Sequence, residues 1–194
     1  MKIIVIVTII ITFFGYSCFQ QIKNANKDYY DLRDSTVTDY LVRFSHDNIS
    51  GIDSLFGYKD LRGNIIIQPG KYFQCFTDTF RTFAFVFDEK LTGSKVVAID
   101  RNERILFDAY IFDNGPDYLN DGLFRIIRNG KIGYANKKGI IIIAPQFECA
   151  DPFENGTARV SLNCKKTQPL NNPEHTMEKS DSWFFIDKIG NIIK

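Results

Sequence analysis

Tryptophan is almost missing from this chain of 194 residues, which has one, and histidine is nearly as scarce, with two. Neither His46 nor His175 has a catalytic partner at a recognisable spacing. No serine stands in a nucleophile elbow, and no Gly-rich loop opens a helix. A surplus of one charge is lacking as well: the formal net charge is +1, so there is no electrostatic case for nucleic acid or an anionic surface. Long apolar runs are equally rare. The one that stands out, Ile3 to Phe14, has twelve residues, well short of the ~20 that cross a bilayer as a stable helix.

What is plentiful is aromatic and β-forming. Hydrophobic residues make up 44% of the chain, and Phe (18) and Tyr (9) supply nearly all its aromatic rings. That is enough to bury a core, and together with many Ile and Val it favours strands over helices. The expectation is one all-β domain.

The first residues follow another rule. Lys2, the apolar stretch and then Gly15-Tyr16-Ser17-Cys18 form a charged, an apolar and a cleavage region, so residues 1–17 are expected to be a signal peptide. Cys18 directly after the cut resembles a bacterial lipoprotein lipobox, which implies acyl chains on that cysteine and a membrane anchor. The usual Leu and small residue ahead of it are replaced by Gly15 and Tyr16. Loss of Lys2 would balance the remaining basic residues against the 23 acidic ones. With Cys18 lipidated, Cys75, Cys149 and Cys164 remain, an odd set that permits at most one disulfide. Cys149 and Cys164 are the nearest pair in sequence, and spacing alone leaves their pairing open. Residues 18–36, polar and without periodicity, read as a tether, and 37–194 as the folded body.

That body repeats itself. LFGYKDLRGNIIIQP (55–69) matches KIGYANKKGIIIIAP (131–145) at a constant offset, aligning Gly57 with Gly133, Gly63 with Gly139 and Pro69 with Pro145. VVAIDRNERILFDA (96–109) and WFFIDKIGNII (183–193) extend the series to about four copies, a spacing typical of repeat architectures. In each copy Asp or Asn opens a turn and a residue three positions later, Gly63, Gly139 or Gly190, accepts positive φ. The second copy has Asp100 and Glu103, so Asn102 is expected to turn left-handed there or the turn to distort. Asn129-Gly130 is a separate hairpin signal, giving a three-stranded meander. Pro69 and Pro145 should stop the third strand, and LVRF (41–44) should start the array.

These motifs resemble the WG repeat family, most closely in DGLFRIIRNGKIGYANKKGIIIIAPQFECADPFENGTARV (121–160). The Trp-Gly pair is degraded to Phe56-Gly57, Val96-Val97, Ile132-Gly133 and Trp183-Phe184. The resemblance implies tandem three- to four-stranded antiparallel β-meanders, as an open array or a propeller-like ring. It also implies a bacterial, often exported protein with a binding or scaffold role rather than a reaction. Gly133 is expected to let a neighbouring side chain pack on bare backbone.

Candidate chemistry is thin. Arg43, Arg125 and Arg159 recur in successive return strands and could form an anion-binding ladder, although pairing with neighbouring carboxylates is the favoured expectation. The polar insertion 163–181, containing Cys164, Glu174, His175 and Glu178, reads as a surface loop open to a partner; it lacks a standard zinc spacing. Asp113, Asp117 and Asp121 lack the ligand order of a calcium loop. The expected function is therefore an exported envelope lipoprotein that binds a protein or envelope component, non-catalytic and without a cofactor. The rivals are an envelope hydrolase using convergent carboxylates and a structural spacer.

Overall fold

A computed structural model describes residues 39–46, 55–91, 93–167 and 177–193. The expected signal segment, Cys18, the tether, Glu174 and His175 lie outside the described residues. Within them, every helix or strand element is a β-strand. Unit one consists of β1 (Leu41–His46), β2 (Leu55–Asp60) and β3 (Ile65–Ile67), followed by the short β4 (Gln74–Cys75) and β5 (Thr79–Phe80). Unit two consists of β6 (Ala84–Asp88), β7 (Lys95–Ile99) and β8 (Ile105–Ala109), with a hairpin of β9 (Ile111–Phe112) and β10 (Gly115–Pro116) after it. Unit three consists of β11 (Leu123–Arg128), β12 (Lys131–Asn136) and β13 (Ile141–Phe147), then β14 (Cys149–Ala150). Unit four is β15 (Thr157–Ser161), the ribbon β16 (Lys165–Thr167) and β17 (Met177–Lys179) in the insertion, then β18 (Phe184–Asp187) and β19 (Ile192–Ile193).

The same turn joins the second and third strands of every unit. The side-chain oxygen of Asp60 accepts the backbone N–H groups of Arg62 and Asn64, and Asp100, Asn136 and Asp187 repeat both bonds two and four residues on. The carbonyl of each also accepts the N–H three residues on. The residues at that third position, Gly63, Glu103, Gly139 and Gly190, have φ of 92°, 61°, 76° and 92°. Unit two thus differs from the expectation: Glu103 itself, not Asn102, turns left-handed, because the Asp100 bonds hold the loop in the common shape. The cost to a non-glycine residue is about 1–2 kcal/mol. Asn129-Gly130 turns with both φ values positive, at 53° and 73°, the hairpin geometry expected of that pair.

Three main antiparallel sheets result, in the orders β3-β2-β1-β5, β13-β12-β11-β8-β7-β6-β4 and β14-β15-β18-β19. The seven-stranded sheet fuses units two and three, and the difference shows at the proline position. Where units one and three have Pro69 and Pro145, unit two has Ala109, and Ala109 and Asp108 pair with Ile126 and Ile127 of β11. After each proline the chain instead supplies β4 or β14 to the first strand of the next unit. Pro69 does follow the end of β3, but β13 runs on through Pro145 to Phe147 with a broken register. β13 is an outer strand, where a missing N–H need not break a ladder.

The units stack face to face. The forward face of unit one (Leu41, Tyr58, Ile67) meets the back of unit two (Ala84, Val86, Val97, Ile99) in one core. Unit two's forward face (Phe85, Ala98, Phe107) meets the back of unit three (Phe124, Ile126, Ala135) in a second. The forward face of unit three (Leu123, Ile132, Tyr134, Ile143) meets Ala158, Val160 and Ile186 of unit four in a third. The middle junction lies within one sheet, which must therefore curl. Three strand spacings separate β6 from β11, roughly 14 Å if flat, yet the Phe85 and Phe124 ring centroids are 5.7 Å apart. Strands buried on both faces need apolar residues at successive positions rather than alternation, as in AFVF of β6; in LFRII of β11 the one exception, Arg125, is buried with a charged partner.

Gly57 and Gly133 lie where the third strand crosses the second. A Cβ on Gly133 would stand 2.6 Å from the Ile143 carbonyl oxygen and 2.6 Å from the Pro145 nitrogen; on Gly57 the same atoms of Ile67 and Pro69 would be at 2.5 and 2.8 Å. The expected neighbour was a side chain; it is backbone, which cannot swing aside. Beside each glycine sits a buried tyrosine. Tyr58 and Tyr134 donate to the carbonyls of Thr77 and Asp151 at 2.7 Å and meet Phe80 and Phe153 edge-on. Burial, more than any neighbouring charge, pushes both phenol pKa values up.

Gly133→Ala is expected to lower the unfolding free energy by about 1–3 kcal/mol, the scale of overpacking; an unchanged denaturant midpoint would contradict the crossing as described. The tyrosines set an alkaline limit. Below the ordinary phenol value of ~10 both states keep their protons; above it the unfolded chain ionises first, so stability falls as pH rises. The Tyr58→Phe, Tyr134→Phe double variant should lose less stability than the parent between about pH 9 and 11, and equal slopes in urea titrations would refute the assignment.

Candidate functional site

The three arginines occupy equivalent positions, each opposite a Tyr or Phe of the second strand: Arg43 and Tyr58, Arg125 and Tyr134, Arg159 and Phe185. They lie on three different sheets, so they form no ladder. Each holds a carboxylate, the favoured expectation: Arg43 with Asp78, Arg125 with Asp117 and Arg159 with Asp151. Unit two has Phe85 at this position, which fills the curled core.

Arg125 is a closed site. Its Nε and Nη2 donate to the two oxygens of Asp117 at 2.9 and 2.7 Å, its Nη1 donates to the Ala150 carbonyl, and its backbone N–H also reaches Asp117. Tyr110 lies 4.0 Å from the guanidinium carbon. Both charged side chains are buried, 7% and 2% exposed. Burial works against the charge of Arg125, but the bonds and field of Asp117 outweigh it and leave its pKa raised. Asp117, a weak calcium candidate by sequence, is thus the partner of a structural brace. The signal that would have found it is a spacing of eight residues shared by Asp117/Arg125 and Asp151/Arg159.

Arg159 repeats the brace in the open. Its Nε donates to Asp151 at 2.8 Å, and its guanidinium lies 4.4 Å over the ring of Trp183. Arg43 lies likewise over Phe56, at 4.9 Å, so the degraded tryptophan position is a stacking partner where it remains aromatic. Ile132 at that position is buried in the third core and Val96 flanks the second.

A concavity of about 570 Å³ opens at the mouth of the curled sheet. Phe73, Phe76, Phe87, Val96, Ile111 and Ile127 wall it, and an ion pair of Lys95 with Asp108, at 2.7 Å, borders it. Its size falls within the roughly 300–1,000 Å³ of small-molecule sites.

The insertion is tied down at its base. Cys149 and Cys164 are joined in a disulfide with Cα atoms 5.8 Å apart, and β16 pairs with β17 through Lys166 and Glu178. Glu178 lies near both sulfurs, the three ligand atoms falling within 4.8 Å of one another. With the sulfurs bonded, the thiolates a metal would need are consumed, and Glu178 is the one ionisable ligand left. Cys75 is buried with its thiol pKa pushed up by burial, the opposite of an activated nucleophile.

An open, tandem antiparallel β-meander array is the class these features define. Residues 132–165, from the second strand of unit three to β16, match the family model of the WG containing repeat, and the other units are similar to that segment in turn, strand and glycine placement. No curated protein and no solved structure matches the chain.

Asp117→Ala, which strands a buried guanidinium, is expected to cost about 3–5 kcal/mol, whereas Asp151→Ala should cost no more than about 1 kcal/mol. Equal losses in chemical denaturation would show that the two braces do not differ in burial as described.

Proposed function

We propose that the protein is an exported, lipid-anchored β-repeat module of the bacterial cell envelope that binds a partner or envelope component and does not catalyse a reaction. The observation that carries this reading is the Cys149–Cys164 disulfide, because such bonds form and persist in oxidising compartments outside the cytosol. The charged, apolar and small-residue order of residues 1–17 and the cysteine that follows them point the same way.

The hydrolase reading needs a carboxyl group held protonated as a general acid. Asp117, the buried acid of the described residues, is locked on Arg125. Among the described residues the two carboxylates with shifted pKa values move down instead: Asp60 chiefly through the Asn64 side chain, and Asp187 because its desolvation is outweighed by bonds from Asn191 and the turn backbone. A spacer has no use for the concavity at the mouth of the curled sheet.

Labelled palmitate fed to cells expressing the full chain should enter the parent and not Cys18→Ala, and the variant should leave the membrane fraction. Equal labelling of the two would refute the anchor.

A further inference from the structure

The forward faces of units one, two and three are each covered by the following unit, while that of unit four is covered at its Ser161 end by Asn163 and Ser180 and, among the described residues, is open around Arg159 and Phe185. It presents Thr157 and Arg159 from β15 and, from β18 and the residue before it, Phe185 and Trp183. A depression of about 450 Å³ opens there, lined by Asp151, Glu154, Asn155, Thr157, Arg159 and Phe185. Its equivalent in unit three is sealed, and the comparison shows what opening does. Arg125 spends its Nε and both Nη groups on protein acceptors. Arg159 makes one bond, through Nε, and its Nη1 and Nη2 donors have no partner among the described residues. Asp151 and Trp183 nevertheless fix the plane of that guanidinium. Phe185, directly opposite Arg159 in the ladder, is 51% exposed.

We propose that this face is a carbohydrate-binding site for a neutral, polyhydroxylated glycan chain. An anion would meet Arg159 but also the carboxylates of Asp151 and Glu154. An apolar partner would bury three charged groups with incomplete compensation. A sugar hydroxyl both donates and accepts, so one ring can take hydrogen bonds from the Arg159 Nη groups and give them to Asp151, Glu154 and the Asn155 carbonyl. The positive edges of its axial C–H bonds meet the negative face of the Phe185 ring. An oriented guanidinium and a rigid aromatic platform lose little freedom on binding. The site stands whether or not the chain is exported, so its failure would leave the preceding reading untouched.

Trp183, the only tryptophan in the chain, reports on the site. Purified full chain is titrated with soluble cello- and chito-oligosaccharides, following Trp183 fluorescence and binding heat, with inorganic phosphate as the anion probe. Saturable binding of at least one sugar is expected, weakened about tenfold by Phe185→Ala, the scale of one lost aromatic contact, and by Arg159→Ala. Leu61→Ala, on an exposed turn of unit one, should leave it unchanged. The proposal is overturned if neither sugar binds, if Phe185→Ala binds as well as the parent, or if phosphate binds more tightly than the sugars. Sedimentation showing a dimer that shields Trp183 without sugar would overturn it too, by assigning the face to a second copy.

Discussion

The third strand of units one and three lies directly on the backbone of the second, and the fold depends on that crossing. Only a residue without a Cβ fits beneath the Ile67 and Ile143 carbonyls, and the proline two residues on carries the chain across and away. This links two motif residues that are far apart in sequence. Unit two has Val97 in the glycine position and Ala109 in the proline position, so both partners of the crossing are replaced together. Its third strand then stays straight enough to pair with β11, and two units fuse into one curled sheet. The irregular unit is therefore the one that joins the array in the middle.

From the same geometry follows a direction. Units two to four hide their backs under their predecessors, units one to three offer their forward faces to their successors, and the position that holds Arg43 in unit one records what each junction needs. In unit two it is Phe85, because the curled core is apolar throughout. In unit three it is Arg125, which tolerates burial because Asp117 neutralises it and Tyr110 stacks on it. In unit four it is Arg159, half-paired and open. The same structural brace is thus sealed in unit three and left open in unit four.

Much of the fold was legible in the chain itself. The Asp/Asn-to-Gly turns, the Asn129-Gly130 hairpin, the starter strand and the meander order all depend on local dihedral preferences and short-range bonds, which short stretches such as DLRGN and NKKGI carry in full. The curling of the central sheet was not legible, because it depends on whether Ala109 or a proline lets β8 pair with β11, a long-range outcome. The disulfide likewise needed Cys149 brought beside Cys164 by the path after Pro145. Arg43, Arg125 and Arg159 were visible as a column, but their sheets and their carboxylate partners were not. The aspartates lie on loops whose positions are set by tertiary packing, and only the shared spacing of Asp117/Arg125 and Asp151/Arg159 hints at them.

The coupling between glycine and proline is the claim that most needs a direct measurement, and a double-mutant cycle on Gly133 and Pro145 supplies it. Pro145→Ala should relax the kink that presses β13 onto β12, so Gly133→Ala should cost less in that background. The predicted interaction energy is at least about 0.5 kcal/mol, above the scatter of independent sites. Strict additivity of the two substitutions in equilibrium unfolding would contradict the account.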